Sequence, residues 1–255
     1  ADIGVAMGIN GTEVSTEAAD MVLTDDNFAT IEAAVEEGRG VFANLINFIT
    51  WIQPTNAGQG LVIIVAVMAA QPLPVLPVQA LWINMTTAVL LGLALAFEPR
   101  EPGIMRRPPR PPNAPILSGE LIFRILLVGL LLLIGGFGLF EWALYRGASE
   151  AEARTIAVNV FAVGQSFYLL NCRSLRFSMF RLGLFSNPWI WAGIVAMTGA
   201  QLAFTYLPVM NWLFHTAPIG WMDWLHIVAV GLVIYLVIGA EKAWRLRREA
   251  GDPET

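Results

Sequence analysis

Any cation held inside this chain must be held by amides, hydroxyls and carbonyls, because the centres of its long apolar runs contain no Asp, Glu, Lys, Arg or His. Asn56 and Gln59 stand three residues apart, and Asn84 and Thr87 repeat that spacing with Thr86 beside them, so each pair shares one face of a helix. Gln165 stands alone in a later apolar run, ahead of Asn171. Pro54 has no N–H to give the carbonyl of Thr50, so it should kink its helix and leave backbone oxygen free. Polar groups inside a membrane mark ion paths, and that is one reading of this set. The other is that the amides hydrogen-bond between helices and hold them together, which is common and modest in energy.

The elements that must position these residues are membrane helices. Of the 255 residues, 56% are hydrophobic and only 14% charged, against about a quarter charged in ordinary soluble domains. Nine of the twenty acidic residues fall within the first forty positions, so a small soluble piece precedes a membrane domain. Apolar runs near 45–70, 75–97, 121–141, 155–172, 189–210 and 221–240 predict six crossings, given that about 20 residues span a bilayer. Trp82, Trp142, Tyr145, Trp189, Trp191, Trp221 and Trp224 cluster near the ends of these runs, where amphipathic rings favour the headgroup level. With six crossings, thirteen Lys and Arg residues fall on the side of the termini and only Arg146 and Arg154 on the other, which predicts that both ends are cytosolic. Arg124 and Glu141 sit at run ends, where snorkelling should suffice. The basic stretch from Lys242 to Arg248 is expected to lie against anionic headgroups.

In the polar piece, residues 3–7 and 21–23 read as short strands, and Thr12 as the cap of a short helix running to Ala19. From Ala29 the sequence is helix-forming without a break into the first apolar run. The opening Ala-Asp-Ile has neither a methionine nor a basic leader, so the chain reads as a fragment of something longer. The single cysteine, Cys172, excludes a disulfide and reads as a packed thiol. His215 and His226 have no companions at metal-ligand spacing, so no metal centre is expected. The Pro- and Arg-rich loop 98–117 should be extended and stiff, either as a spacer or as a contact for a cytosolic domain.

The order of motifs resembles a known family. Ala1-Asp2-Ile3-Gly4-Val5-Ala6-Met7-Gly8, Gly11-Thr12-Glu13-Val14, Ala18-Ala19-Asp20-Met21-Val22-Leu23 and Asp25-Asp26-Asn27-Phe28 resemble the stretch that follows the hinge motif of P-type cation ATPases. Pro77-Val78-Gln79, Leu81-Trp82-Ile83-Asn84 and Ile104-Met105-Arg106-Arg107-Pro108-Pro109-Arg110 resemble the sixth helix and following loop of the calcium and sodium-potassium pump branch. The resemblance implies a mainly α-helical membrane protein, six transmembrane helices preceded by a short α/β remnant of a HAD-like phosphorylation domain. Its boundaries would be 1–28 for that remnant, 29–44 for a stalk helix, 45–245 for the membrane domain and 246–255 for a cytosolic tail. It implies the membrane part of an ATP-driven cation pump in the plasma membrane. Partners would be lipid, an inorganic cation and the pump's actuator, nucleotide-binding and phosphorylation domains, with no nucleic acid.

The same resemblance states what these residues lack. The family's phosphorylated Asp-Lys-Thr-Gly motif, its magnesium-holding hinge aspartate and its Thr-Gly-Glu loop do not occur in the 255 residues, so no catalytic residue is assigned and Mg-ATP would bind elsewhere in the pump. Asp25-Asp26 resembles a structural turn. Asn56, Gln59, Asn84, Thr87 and Gln165 resemble the family's cation-ligand positions, weighted in the order Asn84, Asn56 with Gln59, Thr87, Gln165. Calcium-pump relatives carry carboxylates where this chain has Gln59, Ala88 and Gln165. Calcium takes six to eight oxygens, commonly with carboxylates among them. A neutral site cancels little charge, so the resemblance implies the reaction class and leaves the ion open. The competing classes are a passive channel-like or inactive module, and a secondary transporter, for which paired inverted repeats would be expected and none is visible.

Overall fold

Strand formation at the start of the chain is local and small. In the computed structural model, which describes residues 3–251 apart from Pro112, Ala114, Leu117 and Ser178 and only the backbone of 249–251, β1 (Val5–Met7) pairs in parallel with β2 (Met21–Leu23). Ala1 and Asp2 of the first motif, and 252–255 of the expected tail, lie outside the described residues. The crossover between the strands is α1 (Glu13–Ala18), and the Thr12 hydroxyl oxygen accepts from Ser15 N at its start. Gly11 is required there, since a Cβ would lie 1.9 Å from the carbonyl oxygen of Met7.

The chain divides into two units, the first comprising the strands, the beginning of α2 and residues 100–110. Helix α2 (Ala29–Met68) opens where Asn27 Oδ1 accepts from Ala29 N, and it continues through Gly38, Gly40 and Pro54 without interruption. Within the first unit the Pro- and Arg-rich segment is not a free spacer. Arg39 Nη1 donates to the carbonyls of Ile104 and Arg107, Arg100 pairs with Glu36 and Glu37 at 2.9 Å each, and Arg110 lies over the Phe42 ring.

The second unit, 44–99 and 111–251, is helical. It holds the rest of α2, then α3 (Pro77–Thr87), a π-helical turn (Ala88–Gly92) and α4 (Leu93–Ala96), which together make one apolar rod. After it come α5 (Gly119–Tyr145), α6 (Glu150–Cys172), α7 (Met179–Leu182), α8 (Pro188–Tyr206), α9 (Pro208–Phe214) and α10 (Trp221–Gly251). Helix α6 is the centre of this unit, packed between α5 and α10 and buried along most of its length. Its alanines and its one glycine, Gly164, permit that. A Cβ on Gly164 would reach 2.9 Å from Leu132 Cδ2 of α5 and 3.1 Å from Ile234 Cδ1 of α10.

Among the described residues, four helices are long and apolar enough to cross a bilayer: Pro77–Ala96, α5, α6 and α10. A fifth is counted if α8 and α9 form one span, although they meet at 80°. The run expected over 189–210 bends, because Pro208 has no N–H to continue α8 and biases Leu207 away from helical geometry. The first expected run, within α2, falls outside this set because Gln53, Pro54, Asn56 and Gln59 dilute its apolar character.

Two local expectations are corrected by packing. Arg124 does not snorkel: it is 4% exposed and its Nη2 bonds Glu241 Oε2 at 2.6 Å. Lys242 does not face headgroups: it is 6% exposed and its Nζ donates to the carbonyls of Asn171, Ser174 and Phe177, closing the end of α6. The basic stretch is the last part of α10, helical to Gly251. Cys172 is fully buried, as a packed thiol should be.

Candidate functional site

The candidate site begins with two amides on neighbouring helices. Gln59 of α2 is 5% exposed and its Nε2 donates to Asn84 Oδ1 of α3 at 3.2 Å. One turn beyond Asn84, Thr87 is 3% exposed, and its hydroxyl donates to the carbonyl of Ile83 at 2.7 Å, so its oxygen remains an acceptor. Asn84 itself is exposed, as is Asn56 one turn before Gln59. The structure thus brings Gln59 and Asn84 together, leaves Asn56 on an exposed face one turn before Gln59, and shows no bond from Gln165 to either.

Gln165 enters in another way. Its side chain is 2% exposed with Nε2 unpartnered among the described protein atoms, while its backbone carbonyl accepts from Trp51 Nε1 of α2 at 3.1 Å. Three residues on, Tyr168 donates its hydroxyl to the carbonyl of Thr50 at 2.9 Å. That is the carbonyl which Pro54 cannot serve. The oxygen expected to be free is therefore taken, and Tyr168 is a residue that sequence reasoning missed. The signal was present: a proline inside an apolar helix leaves an acceptor that a buried hydroxyl must satisfy.

The π turn begins at Ala88, immediately after Thr87, where the Ala88 N–H is shared between the carbonyls of Asn84 and Met85. Such turns occur frequently at functional sites because they shift the register of side chains and carbonyls. Helix α8 approaches this turn closely, and a Cβ at Gly193 would stand 2.2 Å from the carbonyl oxygen of Leu90.

Other buried amides divide between the two readings. Asn159 donates to Thr205 Oγ1 of α8 at 3.0 Å and Asn171 to the carbonyl of Tyr235 of α10 at 3.0 Å, which is the bridging use. Gln201 of α8, 2% exposed with neither amide atom bonded to protein, was also missed. Its place in the buried stripe Ile190, Gly193, Met197, Gln201, Thr205 would have found it. No group of three or more His, Cys, Asp or Glu side chains able to hold a metal occurs among the described residues. His226 packs against the Trp142 ring at 4.6 Å.

Outside the membrane helices the acidic pair is structural. Asp26 has φ 52° and accepts from Ile9 N at 2.9 Å and Asn10 N at 2.8 Å, and these amides, Ile9 first, hold its carboxyl below the usual range. Asp25 is lowered chiefly by the Thr30 hydroxyl, then by the Asn27 amide.

Residues 72–244 match the family model described as cation transporting ATPase, C-terminus. The chain belongs to the C-terminal family of the cation-transporting ATPases. It is 58% identical over 241 residues to the probable cation-transporting ATPase F of Mycobacterium tuberculosis, covering 94% of this chain and 27% of that protein. It is 44% identical over 230 residues to the cation-transporting ATPase pma1 of Synechocystis, covering 88% and 25%, and 34% identical over 242 residues to the calcium-transporting ATPase of Bacillus subtilis, covering 94% and 27%. The chain spans about a quarter of the length of these relatives.

Proposed function

We propose that this chain is the membrane-embedded C-terminal part of an ATP-driven cation pump and forms part of its ion-binding site and pathway. The observation that carries the reading is the Gln59–Asn84 contact between α2 and α3, followed by buried Thr87 and the π turn. In this reading Asn56, on its exposed face, and Gln165 complete the set with parts of the pump outside this chain. The phosphoaspartate, and Mg-ATP with it, belong to the actuator, nucleotide-binding and phosphorylation domains. The parallel β1–α1–β2 unit supports its assignment as the last piece of a HAD-like phosphorylation domain.

The membrane part would cross six times, with the second half of α2 as the first span and the bent α8–α9 pair as the fifth, in the plasma membrane. The thirteen-to-two distribution of basic residues supports cytosolic ends.

The ligand set bears on the ion. Gln59, Asn84, Thr87 and Gln165 offer neutral oxygens, and a buried unbalanced charge costs several kcal/mol. A single cation therefore fits best, either monovalent or a proton, or one divalent ion with a carboxylate from outside this chain. ATPase stimulation of the full-length pump is to be measured against sodium, potassium, magnesium, manganese, calcium and pH. Asn84→Ala should weaken stimulation, and Gln59→Glu with Ala88→Asp should shift preference toward calcium. Stimulation untouched by Asn84→Ala refutes the site, and two calcium ions per cycle in the unaltered pump refutes the argument from charge.

A further inference from the structure

The geometry points to Tyr168 as a positioning residue for the cation site: its hydroxyl stands in for the amide that Pro54 lacks and so fixes the course of α2 just before Gln59. The inference rests on the proposed ion-site reading for its functional half. In an unbroken helix the Thr50 carbonyl would accept from the amide of residue 54, and proline there has none. A buried carbonyl without a donor is costly. Tyr168, 1% exposed, supplies the donor from α6 at 2.9 Å.

The hydroxyl acts together with its surroundings. Trp51, fully buried, donates Nε1 to the carbonyl of Gln165, so two α6 residues one turn apart hold two successive α2 residues on the N-terminal side of Pro54. Thr55 reinforces the turn by donating its hydroxyl to the carbonyl of Trp51 at 3.2 Å. On the other side, α2 lies directly on α5: a Cβ at Gly129 would stand 3.5 Å from the Pro54 carbonyl oxygen, and one at Gly58 would stand 3.0 Å from Leu132 Cβ. Gln59 follows Gly58 immediately. The Gln59–Asn84 contact thus sits on a helix whose missing internal bond is replaced by a single external donor.

The role differs from ordinary interhelical bonding because it should exist only while residue 54 is a proline. The test is a double-mutant cycle in the full-length pump, with wild type, Tyr168→Phe, Pro54→Ala and the double variant. Both the half-saturating concentration of the activating cation and the thermal midpoint are read. Tyr168→Phe should raise the half-saturating concentration by about three- to tenfold, the order of the net contribution of one hydrogen bond. In the Pro54→Ala background, where an amide serves Thr50 again, the same change should move it by less than about twofold.

Equal effects of Tyr168→Phe in both backgrounds overturn the inference, as does a lowered thermal midpoint with unchanged cation dependence. Should Tyr168→Phe not accumulate in the membrane, recovery of the double variant supports the assignment and its continued absence overturns it. Asn84→Ala, measured alongside, separates the two readings. A flat response there removes the proposed ligand set while the coupling between positions 54 and 168 stands or falls on its own cycle.

Discussion

Removing Glu98 should be among the most damaging single changes in the helical unit. Arg173 is 1% exposed, and its Nε and Nη2 bond Glu98 Oε1 at 3.0 and 2.7 Å. Asn187, which caps α8, donates to Glu98 Oε2 at 2.9 Å, and Asn44 and Asn47 of α2 donate to the backbone carbonyls of Glu98 and Arg173. The pair therefore ties the ends of α4, α6 and α8 to one another and to the middle of α2. Glu98→Ala leaves a buried guanidinium whose acceptors among the described residues are the carbonyls of Gly183 and Leu184 and the Ser186 hydroxyl. Breaking a buried pair by deleting one partner costs about 3–5 kcal/mol, and the remaining acceptors place this case toward the lower end. Replacing both members by apolar residues removes the stranded charge, so Glu98→Leu with Arg173→Met should return to within about 1 kcal/mol of wild type. Unfolding of the chain in mixed micelles, followed by tryptophan fluorescence, gives the free energies. A cost below about 1 kcal/mol for Glu98→Ala, or a double variant no better than the single one, would refute the assignment of a desolvated, mutually dependent pair.

Two further outcomes are expected. Because Asp25 and Asp26 are held below their ordinary value of 3.8, their stabilisation of the first unit is complete above that pH and is lost as pH falls through their lower folded values. Amide-exchange protection at Ile9 and Asn10 should therefore be constant near neutrality and collapse below pH 3.8, and Asp26→Asn should weaken it at neutral pH; persistence in acid would contradict the carboxylate cradle. Gly193→Ala places a Cβ 2.2 Å from a backbone oxygen that cannot swing aside, so it should cost about 1–3 kcal/mol in the same micelle assay, and a neutral result would show that α8 yields at the π turn.

Periodicity and composition made much of this architecture legible. The existence of α5 and α6 follows from apolar length, which placed them near 121–141 and 155–172, while their earlier starts at the Ser118 and Ser149 caps were not foreseen; the strands at Val5–Met7 and Met21–Leu23 follow from their flanking turns. The candidate ligands were also legible, since an amide within an apolar run is conspicuous whatever it touches. What each amide does was not. Asn171 and Asn159 are spent on neighbouring helices while Gln59 meets Asn84, and nothing local distinguishes these cases.

The sequence by itself determined that the chain is rich in membrane helices, that the polar groups at the centres of its apolar runs are neutral, and that Thr50 would lose a helical donor at Pro54. Those properties reside in residue type and spacing. Only tertiary structure decided which partner satisfies each group: Tyr168 for the Thr50 carbonyl, Glu241 for Arg124, three carbonyls at the end of α6 for Lys242, and Glu98 for Arg173. The physical reason is that a buried polar group must be paired. Its partner lies tens of residues away, brought near by the packing of apolar faces that carry no label for it.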